Sequence, residues 1–455
     1  MAPFLIEASR WLFLCVLLGA PWAYGCTLER TIALLNVGCG LILALWLAGL
    51  LVGRKALAIE WVNAACVVWL IGQGWMVALN AQFRHDPKEG LFHPMWTWWE
   101  DGPGTVDGAV SVTMMWRVTA LLGMLLYVGD LARRAVWRRR IRQTVILAGA
   151  SVILFGIVQR ALGAHAIFWV GKPTTSAFFA TFYYSGNAGA FINLVLPIVA
   201  GAAVLALGVS SSRGQRTVAL PALGICLAGG CVNASRAAFV VMCALALAWV
   251  VWMARTSFHT SRWSRSRALS AVVSVLALGA IISCAGWEAA VQKWTLLPQQ
   301  LNADNPRLLA AWACVRMLPD AGFWGFGPGT FELTFPHYTH FLGASIPGTW
   351  RFAHNDYLQA LIEWGWVGAA ALGILLFRGI AVCFFRSADA ARAGEERGLL
   401  FSIGLALAGI AIHATIDFPL QIASLQFYVV TFLGMAAASG QADLDSRTVA
   451  AVTGA

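Results

Sequence analysis

Between Arg351 and Gly368 the chain reads RFAHNDYLQALIEWGWVG. His354, Asn355 and Asp356 sit there at the head of a run apolar enough to lie in a bilayer. An imidazole on a helix tip where lipid meets water is suited to moving a proton near neutral pH. The plainer reading is a loop histidine that caps a helix or bonds a neighbour. A second His and carboxylate occur in HATIDFPLQ, as His413 and Asp417, and a carboxylate at membrane depth needs a partner. Isolated cations end other apolar runs: Arg160 beside Gln159, Lys172, Arg236 in the turn after Asn233, and Arg307 in NPRLLAAW. Guanidinium groups grip phosphate in two-pronged fashion and keep their charge. Snorkelling to a lipid headgroup is the alternative for Arg236.

The elements that must position these groups follow from composition. Of 455 residues 59% are hydrophobic and 11% charged, and the mean hydropathy is +0.72, outside the range of soluble domains. Apolar runs of near twenty residues, matched to a hydrocarbon layer of ~30 Å, predict helices and not the short alternating strands of a barrel. The reading is an all-α polytopic membrane protein with about twelve spans. Residues 1–286 are expected to hold nine of them, 287–353 a large extramembrane loop, 354–440 three more, and 441–455 a cytoplasmic tail. A helix beginning near His354 places Tyr357, Leu358 and Leu361 on its stripe and Asn355, Gln359 and Ile362 on the next. Gly365, Gly368, Ala369 and Ala370 offer a smooth side to another helix.

The net charge of +10 invites a nucleic-acid reading, but the location of the arginines argues against it. Most lie in loops on one side, in the RRAVWRRRIR run above all, which is the positive-inside pattern, with both termini cytoplasmic. The cysteines are scattered singly as small core residues; Cys26 and Cys314, the two expected near water outside the cytoplasm, are the one pair open to bridging. Glu7 interrupts any signal-peptide n-region, so the first helix is expected to stay.

The two long loops face away from the cytoplasm. In Asn80–Ala109, Trp96, Trp98 and Trp99 read as an interfacial belt before a sugar-stacking platform. In the larger loop, Leu308, Ala311, Trp312 and Val315 have helical spacing, with Pro319 and Asp320 as the stop. The glycines at 322, 325, 327 and 329 fit no phosphate-loop pattern and read as tight packing. His337, Tyr338 and His340 follow. On this topology Arg160, Arg236, Arg307, His354 and Asp417 all come to one depth.

The order SRAAF (235–239), NPRLLAAW (305–312), WGFGPGTF (324–331), AHNDYLQALIEWGWVG (353–368) and HATIDFPLQ (413–421) resembles the bacterial O-antigen ligase and polymerase superfamily, which includes protein O-oligosaccharyltransferases. The likeness spans residues 180–440. It implies a fold of the membrane glycosyltransferase C type in the inner membrane, with its active site facing the periplasm. The implied activity is inverting transfer of a glycan from undecaprenyl diphosphate. The acceptor would be the lipid A core, another carrier-linked repeat, or a protein, with the size of the loop favouring the first. Arg236 and Arg307 would hold the diphosphate, His354 would act on the acceptor hydroxyl, and Asp417 would position its neighbours. Asn355, Tyr357, Arg160 and Lys172 would support them. No cofactor and no metal are implied. Partners are the lipid-linked glycan, its acceptor and membrane lipid, with no nucleic acid. The rival classes are a lipid-linked glycan transporter, which calls for internal repeats and broken helices with mid-membrane polar groups, and an assembly scaffold.

Overall fold

A computed structural model describes residues 1–54, 60–170, 178–207, 213–257, 305–346 and 348–453, together with Thr295. The expected span Ala268–Gly286, the opening of the large loop from Trp287, and Lys172 lie outside the described residues. The chain is an all-α membrane protein of multiple spans. Its helices are α1 (Ala2–Gly19), α2 (Glu29–Gly53), α3 (Trp61–Leu79), α4 (Gly108–Leu131), α5 (Ala135–Ala161), α6 (Ser185–Leu207), α7 (Arg213–Val232), α8 (Arg236–Ser257), α9 (Pro306–Ala321), α10 (Phe331–Thr339), α11 (Asp356–Ala388), α12 (Gly394–His413) and α13 (Ala423–Thr453). Among the described residues, nine helices are long and apolar enough to cross a membrane, and shorter apolar stretches occur at Thr217–Val232 and Ala423–Ser439. A two-stranded hairpin, Phe83–Asp86 with Leu91–Pro94, was not expected from the sequence.

Rings and small residues build the core. Phe13, Tyr127, Phe191, Phe427 and Tyr428 are fully buried and meet edge-on, with Phe13 5.6 Å from Tyr127 and Phe191 5.3 Å from Tyr428. Close helix approach rests on glycines whose Cβ would collide with a partner: Gly149 with Val195, Gly229 with Ile153, and Gly434 with Val128. Arginines fasten one end of the bundle. Arg378 forks onto Glu60 at 3.0 and 3.1 Å, and Arg142 reaches Glu395 at 2.9 Å. At this basic end α1 starts at Ala2, and its Arg10 pairs with Glu7 and lies over the Trp137 ring. Cys26 and Cys314 are both free, and the Cys26 thiol donates to Ala20 O instead of bridging.

The opposite end carries the loops, and there α11 departs from a straight span. On one continuous helix Tyr357 and Phe377 would stand about 30 Å apart, yet their rings stack with centroids at 6.2 Å. The helix doubles back at Gly365, whose φ of +63° and ψ of −175° no helix accommodates. Two arms result, 356–364 and 366–388, and the second is long enough to span by itself. The apolar run from Tyr357 to Phe377, long enough to read as one span, is therefore interrupted. The expectation that Gly365 receives a neighbouring helix is corrected: a Cβ there would strike the backbone of Phe323 and Trp324. The glycine loop 322–330 takes up the backbone groups that the break releases. Phe326 N donates to Ile362 O (2.9 Å), Gly327 N to Glu363 O (3.1 Å), and Trp366 N to Gly322 O (3.2 Å), while Gln73 Nε2 donates to Trp364 O (2.8 Å). In lipid such groups have no other partner.

Candidate active site

The short arm of α11 opens at the site. Asn355 caps it, accepting from Tyr357 N (3.1 Å) and Leu358 N (3.0 Å), and its own Nδ2 donates to Thr415 O at 3.0 Å. Tyr357 OH donates to Ala411 O (2.8 Å) and Asp356 N to Ala414 O (2.9 Å). The Asp356 carboxylate, buried, accepts from Leu420 N and from Gln421 Nε2 at 2.8 and 2.9 Å. Five bonds therefore lock the start of α11 onto the last turn of α12 and the turn between α12 and α13. Asn355 and Tyr357 act through the backbone, as fasteners.

That lock brings two distant side chains together. His354, at a φ of +53° uncommon for a non-glycine residue, directs Nδ1 to Asp417 Oδ1 at 3.1 Å. The carboxylate accepts there, so Nδ1 carries the proton and Nε2 is the basic nitrogen. Asp417 is buried, its Oδ1 also accepts from Phe418 N, and His413 Nε2 stands 3.9 Å from its Oδ2, too far for a hydrogen bond. Aromatic rings enclose the imidazole: Phe418 at 4.7 Å, Trp350 at 5.3 Å and Tyr184 at 6.4 Å, all near perpendicular. With its side chain 23% exposed, His354 keeps a path to solvent.

A cation joins this pair through Tyr184, the residue before α6. Its ring stacks on Phe418 at 5.3 Å, and its hydroxyl accepts from Arg307 Nη2 at 3.0 Å. Burial opposes the charge of Arg307, but the Tyr184 hydroxyl and the Asp417 carboxylate outweigh it and hold the guanidinium above its ordinary pKa. Burial, with Asp417 acting in the same direction, pushes the Tyr184 hydroxyl up to about 12. Arg307 is the second residue of α9, which Asn305 caps by accepting from Arg307 N at 2.9 Å. α9 itself packs differently from its sequence reading: Ala310, Ala313, Cys314 and Met317 face inward, and Leu308, Trp312 and Val315 are exposed, because the small residues allow the closer approach. It also runs past Pro319 and Asp320 to Ala321.

The remaining candidates divide. Arg236 begins α8 after the short turn foreseen in the sequence, and Asn233 Nδ2 donates to Ser185 O at 3.0 Å. A Cβ on Gly189 would collide with Ala238. The first turn of α8 is thus fixed to the first turn of α6, next to Tyr184. Arg160 lies in the last turn of α5 and is exposed; among the described residues no hydrogen bond joins it to His354. Arg351 is exposed and lies 3.8 Å from Glu332. Tyr338 bonds Asp320, and His340 Nδ1 faces His337 O; neither reaches the imidazole. Sequence reading missed Tyr184 altogether, and also Phe418, one residue after Asp417, and Trp350, four before His354.

Glu363 ties the site to the loop. Buried in the short arm, it accepts from Gly329 N (3.0 Å), Phe331 N (3.3 Å) and Gln359 Nε2 (3.0 Å), and Gln359 Oε1 accepts from Ala353 N at 3.1 Å. One chain of bonds thus runs from the residue before His354 to the glycine loop.

In comparison with protein families, residues 221–373 match the family described as O-antigen ligase. The match takes in Arg236, Arg307 and His354 and stops short of Asp417; Tyr184 precedes it. No curated protein matches the chain.

Proposed function

We propose, from the match of residues 221–373 to the O-antigen ligase family, that this chain transfers a glycan from undecaprenyl diphosphate to an acceptor hydroxyl at the periplasmic face of the inner membrane. The acceptor we propose is the lipid A core oligosaccharide. The observation that carries the reading is the contact of His354 with Asp417, 3.1 Å long, with Arg307 held beside it by Tyr184.

The chemistry needs little else. Diphosphate is a good leaving group, so the reaction asks for positive charge on its oxygens and an aligned nucleophile. His354 Nε2 takes the acceptor hydroxyl proton, and Asp417 steadies the imidazolium that forms. The hydroxyl oxygen attacks the anomeric carbon as the bond to diphosphate breaks, with inversion. Arg307 and Arg236 carry the charge of the departing diphosphate. The basic end, rich in arginine, faces the cytoplasm, and the loop end with His354 faces the periplasm.

Purified protein in lipid, given a carrier-linked glycan and lipid A core, should yield glycosylated acceptor and free undecaprenyl diphosphate. His354→Ala, with folding retained, should lower the rate by about 10²–10⁴-fold. Equal turnover by both proteins would end the reading.

A further inference from the structure

The break in α11 leaves a hollow. A cavity of about 450 Å³ lies in the angle between the two arms, walled by α4 and α13. Its lining is almost wholly apolar: Leu121 and Leu125 of α4, Ala369 and Gly373 of the long arm, and Val430 and Leu433 of α13 are representative. Asp356, Tyr357, Glu363, Gln421 and Gln426 are its polar residues, and among the described residues no Lys, Arg or His lines it. Both carboxylates already accept backbone or amide protons.

From this we propose that the cavity holds the hydrocarbon chain of the lipid-linked donor, in its first isoprene units. The inference rests on the glycan-transfer reading above. Charge decides which part of the donor enters. A diphosphate would face two carboxylates in a lining that holds no Lys, Arg or His among the described residues, whereas an uncharged chain gains from the apolar walls. Continuity decides which lipid. Asp356 and Tyr357 line the cavity two and three residues after His354, and Leu420 and Gln421 line it three and four residues after Asp417. A chain seated here emerges beside the imidazole, with its anionic head directed to Arg307, which is not part of the lining. Size agrees, since 450 Å³ falls within the ordinary range for pockets that enclose a ligand of moderate size, and most of a long carrier chain would extend into the bilayer.

Gly373 gives a clean test, because a Cβ there meets only the edge of its own neighbour Phe377, at 3.9 Å. Full-length protein in lipid nanodiscs is exposed to a polyprenyl diphosphate bearing a diazirine in its second isoprene, and adducts are located by mass spectrometry. Labelling is expected on α4, the long arm of α11 and α13, competed by unlabelled polyprenyl diphosphate and unaffected by excess phosphatidylethanolamine. Gly373→Phe should cut it about tenfold or more with thermal stability unchanged, and Ala369→Leu should do the same. Adducts elsewhere, competition by phosphatidylethanolamine, or undiminished labelling of both variants overturn the proposal. Labelling with no glycan transfer by wild type would overturn the proposed function and leave the chain site standing. Unimpaired transfer by an unlabelled variant would do the reverse.

Discussion

Arg307 Nη2 lies 3.0 Å from the Tyr184 hydroxyl, although the two residues belong to a loop helix and to the approach to α6. That bond fixes where a cation waits for the donor. Tyr184→Phe keeps the ring on Phe418 and removes only the acceptor. The KM for the lipid-linked donor should rise several-fold, a loss of about 1–2 kcal/mol, with kcat little changed. Steady-state kinetics against donor concentration read the split; a fall in kcat alone would show that Tyr184 acts on the chemistry instead.

Tyr184 also sets a limit on alkaline stability. Its hydroxyl is pushed up to about 12 by burial, Asp417 adding to the effect. An acid with a raised pKa binds its proton more tightly in the folded state, so its contribution to stability is complete below the unfolded value of about 10 and is lost as pH rises toward the folded value. Melting temperatures measured above pH ~10 should therefore fall less steeply in Tyr184→Phe than in wild type. Parallel slopes would contradict the burial on which the argument rests.

Asp417 is expected to matter through its charge. Asp417→Asn preserves shape and an oxygen for His354 Nδ1 but cannot stabilise the imidazolium, and should lower kcat about a hundredfold or more. Asp417→Glu should recover part of the rate. If the asparagine variant works at the wild-type rate, proton transfer to His354 is not part of the rate-limiting chemistry.

Glu363 is a matter of stability, not of catalysis. Glu363→Ala strands Gly329 N, Phe331 N and Gln359 Nε2, a cost of about 2–4 kcal/mol. Faster amide exchange confined to residues 322–331 is the expected signature. Exchange spread evenly over the bundle would indicate that the loop is held by other means.

Much of this was legible in the sequence because a bilayer enforces it. Span length and the short turn before Arg236 follow from hydrophobic thickness and charge alone, and the described residues include nine helices long and apolar enough to cross. The pairing of His354 with Asp417 was legible only as a common depth, since hydropathy fixes height and says nothing of azimuth. Tyr184 and Phe418 were illegible for the same reason: an aromatic residue at a helix end reads as an interfacial anchor until its neighbours are known. The reversal at Gly365 escaped because glycine followed by an apolar run continues a helix on paper. What breaks it is the backbone of residues 322–327, more than thirty positions away, supplying partners that only folding brings near.

That reversal can be checked directly. Tyr357 and Phe377 stack at 6.2 Å where an unbroken helix would hold them about 30 Å apart. Cysteines placed at 357 and 377 in a background without reactive thiols should be joined rapidly by a short bifunctional reagent in the folded protein. Gly365→Ala, which forces a side chain onto the Phe323 backbone at a φ of +63°, should cost about 2–4 kcal/mol and slow the joining. A straight α11 would leave the two cysteines unlinked in every background, and would carry Asp356 and the imidazole beside it away from the turn that holds Asp417.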